Sequence, residues 1–287
     1  MRGSMLSVQI LQKEEIVMSK IDNAIYEIHC MDTLAARDQW VNHIHPLVKF
    51  ILTIVYIAAV VSFHKYDVIG LIGMAVYPIA VFILSELSFP DSIKRLRVVL
   101  PLICLVGILN PFLDSNIVLI AGIRMSAGVL SMITLILKGI FSILASYLLI
   151  ATTSVDKLCY AFRLLHIPKP IVTQFMLTYR YVTVLLEEAN CVTQAYALRA
   201  PHQKGVHFKV WGSLAGHLLL RSIDRAGAVY ESMLLRGYGG DYQYLREKLA
   251  VHAKDIIYLV LWLGFIVLFR LFPIIFIVGN LIGGILS

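Results

Sequence analysis

Long apolar runs, separated by short polar breaks, constrain this 287-residue chain more than any other feature. Runs of this kind lie at 47–63, 68–84, 98–109, 128–151 and 256–281. A helix needs ~20 mostly apolar residues to cross a bilayer. Because lipid offers the backbone no hydrogen-bond partners, only helices and closed barrels can span it. The sequence therefore predicts an all-α integral membrane protein with about five transmembrane helices.

The third apolar run is the irregular one. Pro101 and the pair Asn110-Pro111 interrupt it, and proline removes a backbone N–H from a helix. Span counts of four and six therefore stay open as alternatives. The segment 112–124 that follows is predicted as a loop, or as a short re-entrant piece around 117–121.

The distribution of charge predicts how the chain is oriented. It carries 25 Lys and Arg against 18 Asp and Glu, and residues 152–255 alone hold 13 basic and 8 acidic residues. Basic loops of membrane proteins face the cytoplasm. Residues 152–255, the N-terminus and the loop with Lys94, Arg95 and Arg97 are therefore predicted inside, and the C-terminus outside. Cytoplasmic loops account for the positive excess, so no nucleic-acid partner is predicted.

The same pattern divides the chain into four regions. Residues 1–46 are predicted as an N-terminal tail with an interfacial segment, and 47–151 as the first four transmembrane helices. Residues 152–255 form a cytoplasmic module, and 256–287 hold the last transmembrane helix. Residues 1–17 resemble a cloning leader before a native start at Met18, and without a long apolar core they predict no signal peptide.

Two long amphipathic helices are predicted inside the cytoplasmic module. The first opens at Pro168-Lys169-Pro170, continues with apolar residues at helical spacing, and ends at Arg199 before a proline. The second runs from about His207 to Arg236, with Gly237 as a left-handed C-terminal cap. Each has about 30 residues and a length of ~45 Å. Their charged faces make a membrane-crossing position costly.

Both helices end in the same kind of tip, an arginine between a leucine and a small residue. The two tips are Leu198-Arg199-Ala200 and Leu235-Arg236-Gly237. A cation in a last turn complements the helix dipole by ~0.3–1 kcal/mol, which suffices to explain either arginine alone. As a pair, the arginines favour docking to carboxylates of soluble partners, because a guanidinium binds a carboxylate at two points.

In these tips the chain resembles the transmembrane T component of energy-coupling factor (ECF) transporters, most of all the CbiQ family of the cobalt/nickel branch. That family carries two Ala-Arg-Gly-type motifs at the ends of two coupling helices. Here both motifs lack the leading alanine, and the first has alanine in place of glycine. The resemblance covers roughly residues 20–280. It also rests on His45-Pro46-Leu47-Val48-Lys49, Ala151-Thr152-Thr153, Ile167-Pro168, Thr178-Tyr179-Arg180-Tyr181 and the stretch 216–240.

The resemblance implies a non-catalytic scaffold in the cell membrane of a bacterium or archaeon. Its partners are two ATP-binding cassette ATPases at the cytoplasmic face and a substrate-binding membrane subunit, the CbiM-like S component. Arg199 and Arg236 pair with acidic residues of the ATPases, and Leu198, Ala200, Leu235 and Gly237 complete the coupling site. The scaffold passes ATPase movement to the substrate-binding subunit, for cobalt or nickel uptake that serves cobalamin biosynthesis.

Other classes of protein are alternatives. A T component for a vitamin-type transporter would look the same at this level. An ordinary ABC permease would carry a Glu-Ala-Ala loop with a later glycine, and Glu188-Ala189-Asn190 lacks that glycine pattern. A membrane enzyme would need clustered carboxylates or histidines at a span end, and a channel would leave the two long helices unexplained. The chain has no G-x-x-x-x-G-K-[ST] loop, so the energy has to come from a partner.

Lys138, near the middle of the fourth span, has two interpretations of equal weight. A charge inside the membrane is a functional candidate by default, here as a contact to another subunit. A structural bond to a backbone carbonyl explains it equally well.

The histidines and cysteines give no metal signal. His43 and His45 stand two residues apart and diverge on a helix, and His29-Cys30 adds no ligand at a known spacing. Neither a metal site nor any other cofactor is predicted. The scattered cysteines are predicted to be free thiols, and they are Cys30, Cys104, Cys159 and Cys191.

Overall fold

The computed structural model describes residues 24–37, 39–87, 100–108, 110–111, 117–120, 123–200, 206–240 and 251–271. These residues fall into two compact units. One unit, the bundle unit, lies within 34–161 and 248–287. The other, the long-helix unit, lies within 1–33 and 162–247.

The described elements are helices, apart from one β-hairpin. Residues 24–35 and 100–108 are helical, and a 3-10 turn covers Trp40–His43. The remaining elements are α1 (Pro46–Ser62), α2 (Val68–Gly73), α3 (Val76–Leu84), β1 (Ile117–Ile120), β2 (Ile123–Ser126), α4 (Ala127–Thr152), α5 (Val155–Leu164), α6 (Lys169–Arg199), α7 (Phe208–Leu235) and α8 (Ala253–Leu271).

The predicted apolar runs coincide with helices of the bundle unit. α1 and α4 match the first and fourth runs to within one residue at each end. α8 begins at Ala253, three residues before the predicted start, and residues 272–281 of that run lie outside the described ones. Among the described residues, one helix is by itself long and apolar enough to cross a membrane, namely α4 with 26 residues. α1 has 17 residues and is a shorter apolar helix.

The second apolar run is helical, with a break that its proline explains. α2 ends at Gly73 and α3 begins at Val76, although Met74 and Ala75 keep right-handed helical dihedral angles. Pro78 has no N–H to donate to the carbonyl of Met74 one turn earlier. The buried Tyr56 hydroxyl donates to that carbonyl at 2.9 Å and satisfies it. The missing backbone bond therefore accounts for the interruption between α2 and α3.

α1 and α8 run parallel and are joined near both ends. At their first turns the backbone N–H of His45 donates to Asp255 Oδ1 at 2.9 Å. At their last turns Arg270 Nη2 donates to the carbonyl of Ser62 at 3.0 Å. The sequence separations of the two pairs are 210 and 208, so the helices stay in register along their length.

α4 runs antiparallel to α1. Lys49 in the first turn of α1 bonds to the carbonyl of Thr152, the last residue of α4. Lys138, near the middle of α4, bonds to the carbonyl of Phe63 just after α1. Residues 100–108 in turn lie antiparallel to α4, because a Cβ added to Gly139 would meet Ile103 and one added to Gly107 would meet Met132.

Residues 117–126 contain a β-hairpin, so the prediction of 112–124 as a loop or re-entrant piece is wrong at 117–120 and 123–124. β1 and β2 pair antiparallel, from Ile117 with Ser126 to Ile120 with Ile123. The apolar residues of this stretch are compatible with a short strand as well as with a membrane segment. Over only four residues, hydrophobic periodicity does not distinguish these two structures. The prediction of an all-α fold holds for the other described elements.

The bundle unit has an aromatic core and an apolar outer surface. In the core Tyr77 packs against Tyr56 at a tilt of 35° and edge-on against Trp262, with ring centroids 4.5 and 4.9 Å apart. Large exposed apolar surfaces mark contact with a membrane or a partner. On α1 to α4 and α8 the exposed apolar side chains include Ile54, Val61, Ile72, Ile79, Ile83, Ile150, Ile257, Val260 and Leu261.

The long-helix unit contains the two predicted long helices. α6 begins after Pro168 and ends at Arg199, with 31 residues. α7 has 28 residues between the caps His207 and Arg236. At 1.5 Å per residue the two helices are ~46 and ~42 Å long. Their predicted bounds are confirmed.

α5, which joins the two units along the chain, was not predicted from the sequence. Asp156 lies in its first turn and Arg163 in its last, so both charges complement the helix dipole. This charge order was the signal that could have revealed the helix.

Candidate functional site

The first tip is a helix end that carries its arginine on the surface. Arg199 is the last residue of α6, and the N–H of Ala200 closes the helix by bonding to the carbonyls of Tyr196 and Ala197 at 3.1 and 3.3 Å. Arg199 is exposed, and Leu198 is 84% exposed. An apolar side chain so open to solvent beside a cation is suited to contact a partner.

The second tip is a Schellman motif. The N–H of Gly237 bonds to the carbonyl of Leu234 at 2.9 Å, and the N–H of Tyr238 bonds to that of Met233 at 3.0 Å. Gly237 takes a φ of +82°, which side chains with a Cβ rarely adopt. The glycine turns the chain sharply after Arg236, so that Arg236 stays at the tip and Leu235 is 90% exposed.

Both tip guanidinium groups lie at the surface. Within the part of the chain that the structure describes, the side chains of Arg199 and Arg236 make neither a hydrogen bond nor an ion pair. Each offers five N–H donors in a planar fork, which suits a carboxylate on another protein. The structure thus leaves both predicted contact groups exposed at helix ends.

The carboxylate of Glu188 links α6 with α7. Glu188 accepts a 2.6 Å hydrogen bond from Arg221, and Arg225 lies 3.7 Å from its other oxygen. The hydrogen bond from Arg221 lowers the pKa of Glu188 below its ordinary value of 4.5, and the charges of Arg221 and Arg225 act in the same direction. The carboxylate therefore stays ionised at neutral pH and holds two cations of α7 against α6.

This ion-paired contact lies several turns before both tips. Arg199 follows Glu188 by 11 residues, and Arg236 follows Arg221 by 15 residues. The tips are therefore ~16 and ~22 Å along their helices from the contact. The pairing joins residues 33 apart in the chain, so no local sequence signal predicted it.

α7 carries apolar residues at helical spacing along one face, and this apolar stripe is largely exposed. None of the residues of α7 is buried, and Leu219, Ile223 and Tyr230 are more than half exposed. On α6 the stripe residues Ile171 and Phe175 are exposed, whereas Val172 is buried. Apolar faces of the two long helices are thus not covered by other described residues of the long-helix unit.

Lys138 bonds to backbone carbonyls. Its Nζ donates to the carbonyl of Phe63 at 2.5 Å and to that of Val61 at 3.0 Å. The last carbonyls of a helix have no partner inside the helix, so this lysine caps α1. The geometry favours the structural interpretation of Lys138, and a contact to another subunit stays a prediction.

The histidines near α1 serve the backbone. His45 caps α1 by accepting from the N–H of Leu47 at 3.3 Å, and His43 Nδ1 lies 3.0 Å from the carbonyl of Gln39. Over the described ranges, no three His, Cys, Asp or Glu side chains come together as they would around a metal ion.

The four cysteines are free thiols in the structure. Cys159 is buried in α5, and Cys191 is exposed on α6. Burial raises the pKa of the Cys159 thiol to about 11, and the nearby Asp156 carboxylate acts in the same direction.

A helical bundle with an apolar surface, joined along the chain to two long helices with cationic tips, is the arrangement of a membrane protein. Residues 37–246 match the model of the CbiQ family, described as a cobalt transport protein. The match spans most of the chain and includes both tips. The chain belongs to the CbiQ family, whose members are components of membrane transporters.

Two proteins of Methanocaldococcus jannaschii are similar to parts of the chain. The uncharacterized protein MJ1089 is 34% identical over 97 residues, which are 33% of this chain and 36% of that protein. The uncharacterized protein MJ1571 is 27% identical over 135 residues, which are 46% of each chain. The chain thus spans less than half the length of either relative in these matches.

Proposed function

We propose that this chain is the T component of an ECF-type cobalt importer. In this role it is a non-catalytic scaffold that passes the movement of two cytoplasmic ATPases to a substrate-binding membrane subunit. The observation that carries the proposal is the pair of exposed arginine tips at the ends of α6 and α7. Membership of the CbiQ family supports the same role.

Five membrane crossings are proposed for the bundle unit. α1 and α8 run parallel, α4 runs antiparallel to both, and residues 100–108 run antiparallel to α4. This alternation of directions agrees with crossings by α1, by α2 with α3, by the third run, by α4 and by α8. With residues 152–255 in the cytoplasm, α1 and α8 both start at the cytoplasmic side.

The tips are proposed to dock into the two ATPases, one tip to each. Leu198 and Leu235 supply apolar contact beside the guanidinium groups, and Ala200 and Gly237 leave room for close approach. A carboxylate in each ATPase groove would complete a charge-assisted pair, which is stronger than a neutral hydrogen bond.

Cobalt is the proposed cargo, and nickel is the alternative within the same branch. The family description names cobalt transport. Selection of the ion is assigned to the substrate-binding partner, a CbiM-like S component, and no ion site is proposed in this chain.

The proposal is tested by reversing the charge at each tip. Arg199→Glu and Arg236→Glu replace an attraction to a carboxylate by repulsion. We expect both variants to lose the ATPases during purification of the tagged chain, and to lose ATP-dependent Co²⁺ uptake in cells that express the whole transporter. ATPase recovery is measured by quantitative immunoblotting against the wild type.

Lys209→Glu serves as the matched control. It makes the same kind of charge change at an exposed residue of α7, but at the helix end opposite to the tip. We expect it to retain the ATPases. Normal uptake and normal ATPase recovery in both tip variants would refute the proposed function.

A further inference from the structure

The chain passes between its two units three times, and near all three passages it is hydrogen-bonded to one short segment of the bundle unit. The passages follow residues 33, 161 and 247. The segment is 42–49, which contains the start of α1 and is called the junction segment below. Every bond described next lies inside the bundle unit.

Asn42 fixes the stretch after the first passage. Its side-chain Nδ2 lies 2.9 Å from the carbonyl of Arg37 and 3.2 Å from that of Leu34, and it donates to both. Asn42 is only 3% exposed, so water does not compete for these bonds. The stretch that leads into the bundle unit is therefore held by one buried amide.

Two lysine bonds fix the stretch before the second passage. Lys49 Nζ donates to the carbonyl of Thr152, the last residue of α4, at 2.8 Å. Lys157 Nζ on α5 donates to the carbonyl of Asn42 at 3.3 Å. The turn from α4 to α5 is thus held on both sides by the junction segment. Lys49 is 5% exposed, so its bond is shielded from solvent.

Asp255 fixes the stretch after the third passage. Its carboxylate accepts from the backbone N–H of His45 at 2.9 Å and from that of His252 at 2.8 Å. The first bond reaches the junction segment, and the second caps the start of α8. Asp255 is 4% exposed, and with Lys157 it forms the charged surroundings of Lys49.

We propose that the junction segment is where movement of the long-helix unit enters the membrane bundle, with Asn42, Lys49 and Asp255 as positioning residues. The inference rests on the proposed function. A buried charged group that loses its partner is costly, so these bonds move together instead of breaking. Movement in any of the three connections then displaces the start of α1. The junction also gives a role to His45-Pro46-Leu47-Val48-Lys49 and Ala151-Thr152-Thr153, which the tips leave unexplained.

The test measures transport and ATP hydrolysis in one sample. The complete complex, with its ATPases and substrate-binding subunit, is reconstituted in proteoliposomes and supplied with Co²⁺ and ATP. Lys49→Met and Asp255→Asn remove a charge and keep nearly the same shape. We expect the ATPases to remain bound and ATP hydrolysis to continue. Co²⁺ moved per ATP should fall about five-fold or more, the low end of coupling between distant sites.

Arg270→Met is the matched control. It removes a cation that bonds to the carbonyl of Ser62 at the opposite end of α1. Like the junction variants it removes a charged bond that anchors one end of α1, but we expect it to leave Co²⁺ transported per ATP unchanged. If the junction had a purely structural role, Lys49→Met, Asp255→Asn and Arg270→Met would all show the same amount of Co²⁺ transported per ATP.

The outcomes separate this inference from the proposed function. If the wild-type chain recovers no ATPases, the proposed function fails before any variant is compared. If wild type is coupled and the ratio is unchanged in Lys49→Met and Asp255→Asn, or changes equally in Arg270→Met, the junction proposal is overturned. If Lys49→Met does not fold, Lys157→Met replaces it, because Lys157 is less buried than Lys49. The amount of Co²⁺ transported per ATP is then compared in the same way.

Discussion

Glu188 on α6 and Arg221 on α7 form a 2.6 Å ion pair that links the two long helices. The pair is partly exposed, so its free energy is screened by water and salt. Its value lies in geometry, because it fixes where along their lengths the two helices meet. The distance of each tip from this pair along its helix is then determined by the helix length alone.

Glu188→Gln should loosen the contact between α6 and α7. The amide is neutral, so it holds Arg221 and Arg225 less firmly. Spin labels are placed at the two tip positions, 198 and 235. We expect the distribution of distances between them, measured by double electron–electron resonance, to become broader in this variant. Glu187→Gln is the control, because this neighbour is exposed and has no ion pair among the described residues. An unchanged distribution in Glu188→Gln would contradict the role of the pair.

Acid should have the same effect on the wild-type chain. Arg221 lowers the pKa of Glu188, so the folded carboxylate holds its proton less tightly than the unfolded one. The stabilisation is therefore complete above the ordinary pKa of 4.5 and is lost as pH falls through the lower folded value. The spin-label distances should broaden below pH 4.5 in wild type, and acid should change them less in Glu188→Gln.

Gly237→Ala should weaken the second tip by ~1 kcal/mol, because φ at this residue is +82° and a Cβ is strained there. Hydrogen exchange of the amides at 237 and 238 should accelerate accordingly. Gly227→Ala is a control of opposite sign. Its added Cβ meets nothing within 4 Å in the interior of α7, so it should stabilise the helix by ~0.5–1 kcal/mol.

Tyr56→Phe should destabilise the bundle unit by ~1–3 kcal/mol, because it leaves the buried carbonyl of Met74 without a hydrogen bond. Pro78→Ala restores an N–H one turn after Met74. The double variant should therefore recover much of the loss in thermal unfolding of the purified protein in detergent. Additive losses in the double variant would show that the hydroxyl does not stand in for the missing helix bond.

Cys159 should resist alkylation where Cys191 reacts. Cys191 is exposed, whereas Cys159 is buried and its pKa is raised from 9.0 to about 11, so its reactive thiolate is scarce near neutral pH. The raised pKa also means that the neutral thiol favours the fold below pH 9, and this advantage is lost as pH rises through about 11. Mass spectrometry after N-ethylmaleimide treatment at pH 7 and above pH 9 measures both effects.

Gly139→Leu should cost ~1–3 kcal/mol, since even a Cβ at this residue meets the Ile103 side chain and overpacking strains its neighbours. Gly264→Leu on α8 is the control, because nothing lies within 4 Å of its added Cβ. Thermal unfolding of both variants in the same detergent gives the comparison. Equal midpoints would exclude close approach of residues 100–108 to α4.

The sequence predicted those parts of the molecule that depend on local signals. The bounds of α6 and α7 follow from Pro168, His207 and Gly237, which start or stop helices through their own backbone chemistry. Apolar run length located α1 and α4 in the same way. The contacts that could not be predicted join residues far apart in the chain. The hydrogen bond between His45 and Asp255 spans 210 residues, and no local sequence pattern indicates it.

The distance of each tip from the Glu188–Arg221 pair has a mechanical consequence. Arg199 lies ~16 Å beyond the pair along α6, and Arg236 lies ~22 Å beyond it along α7. If the two helices rotate against each other about the pair, each helix acts as a lever arm. A small change of crossing angle at the pair is then amplified into a larger displacement of each arginine.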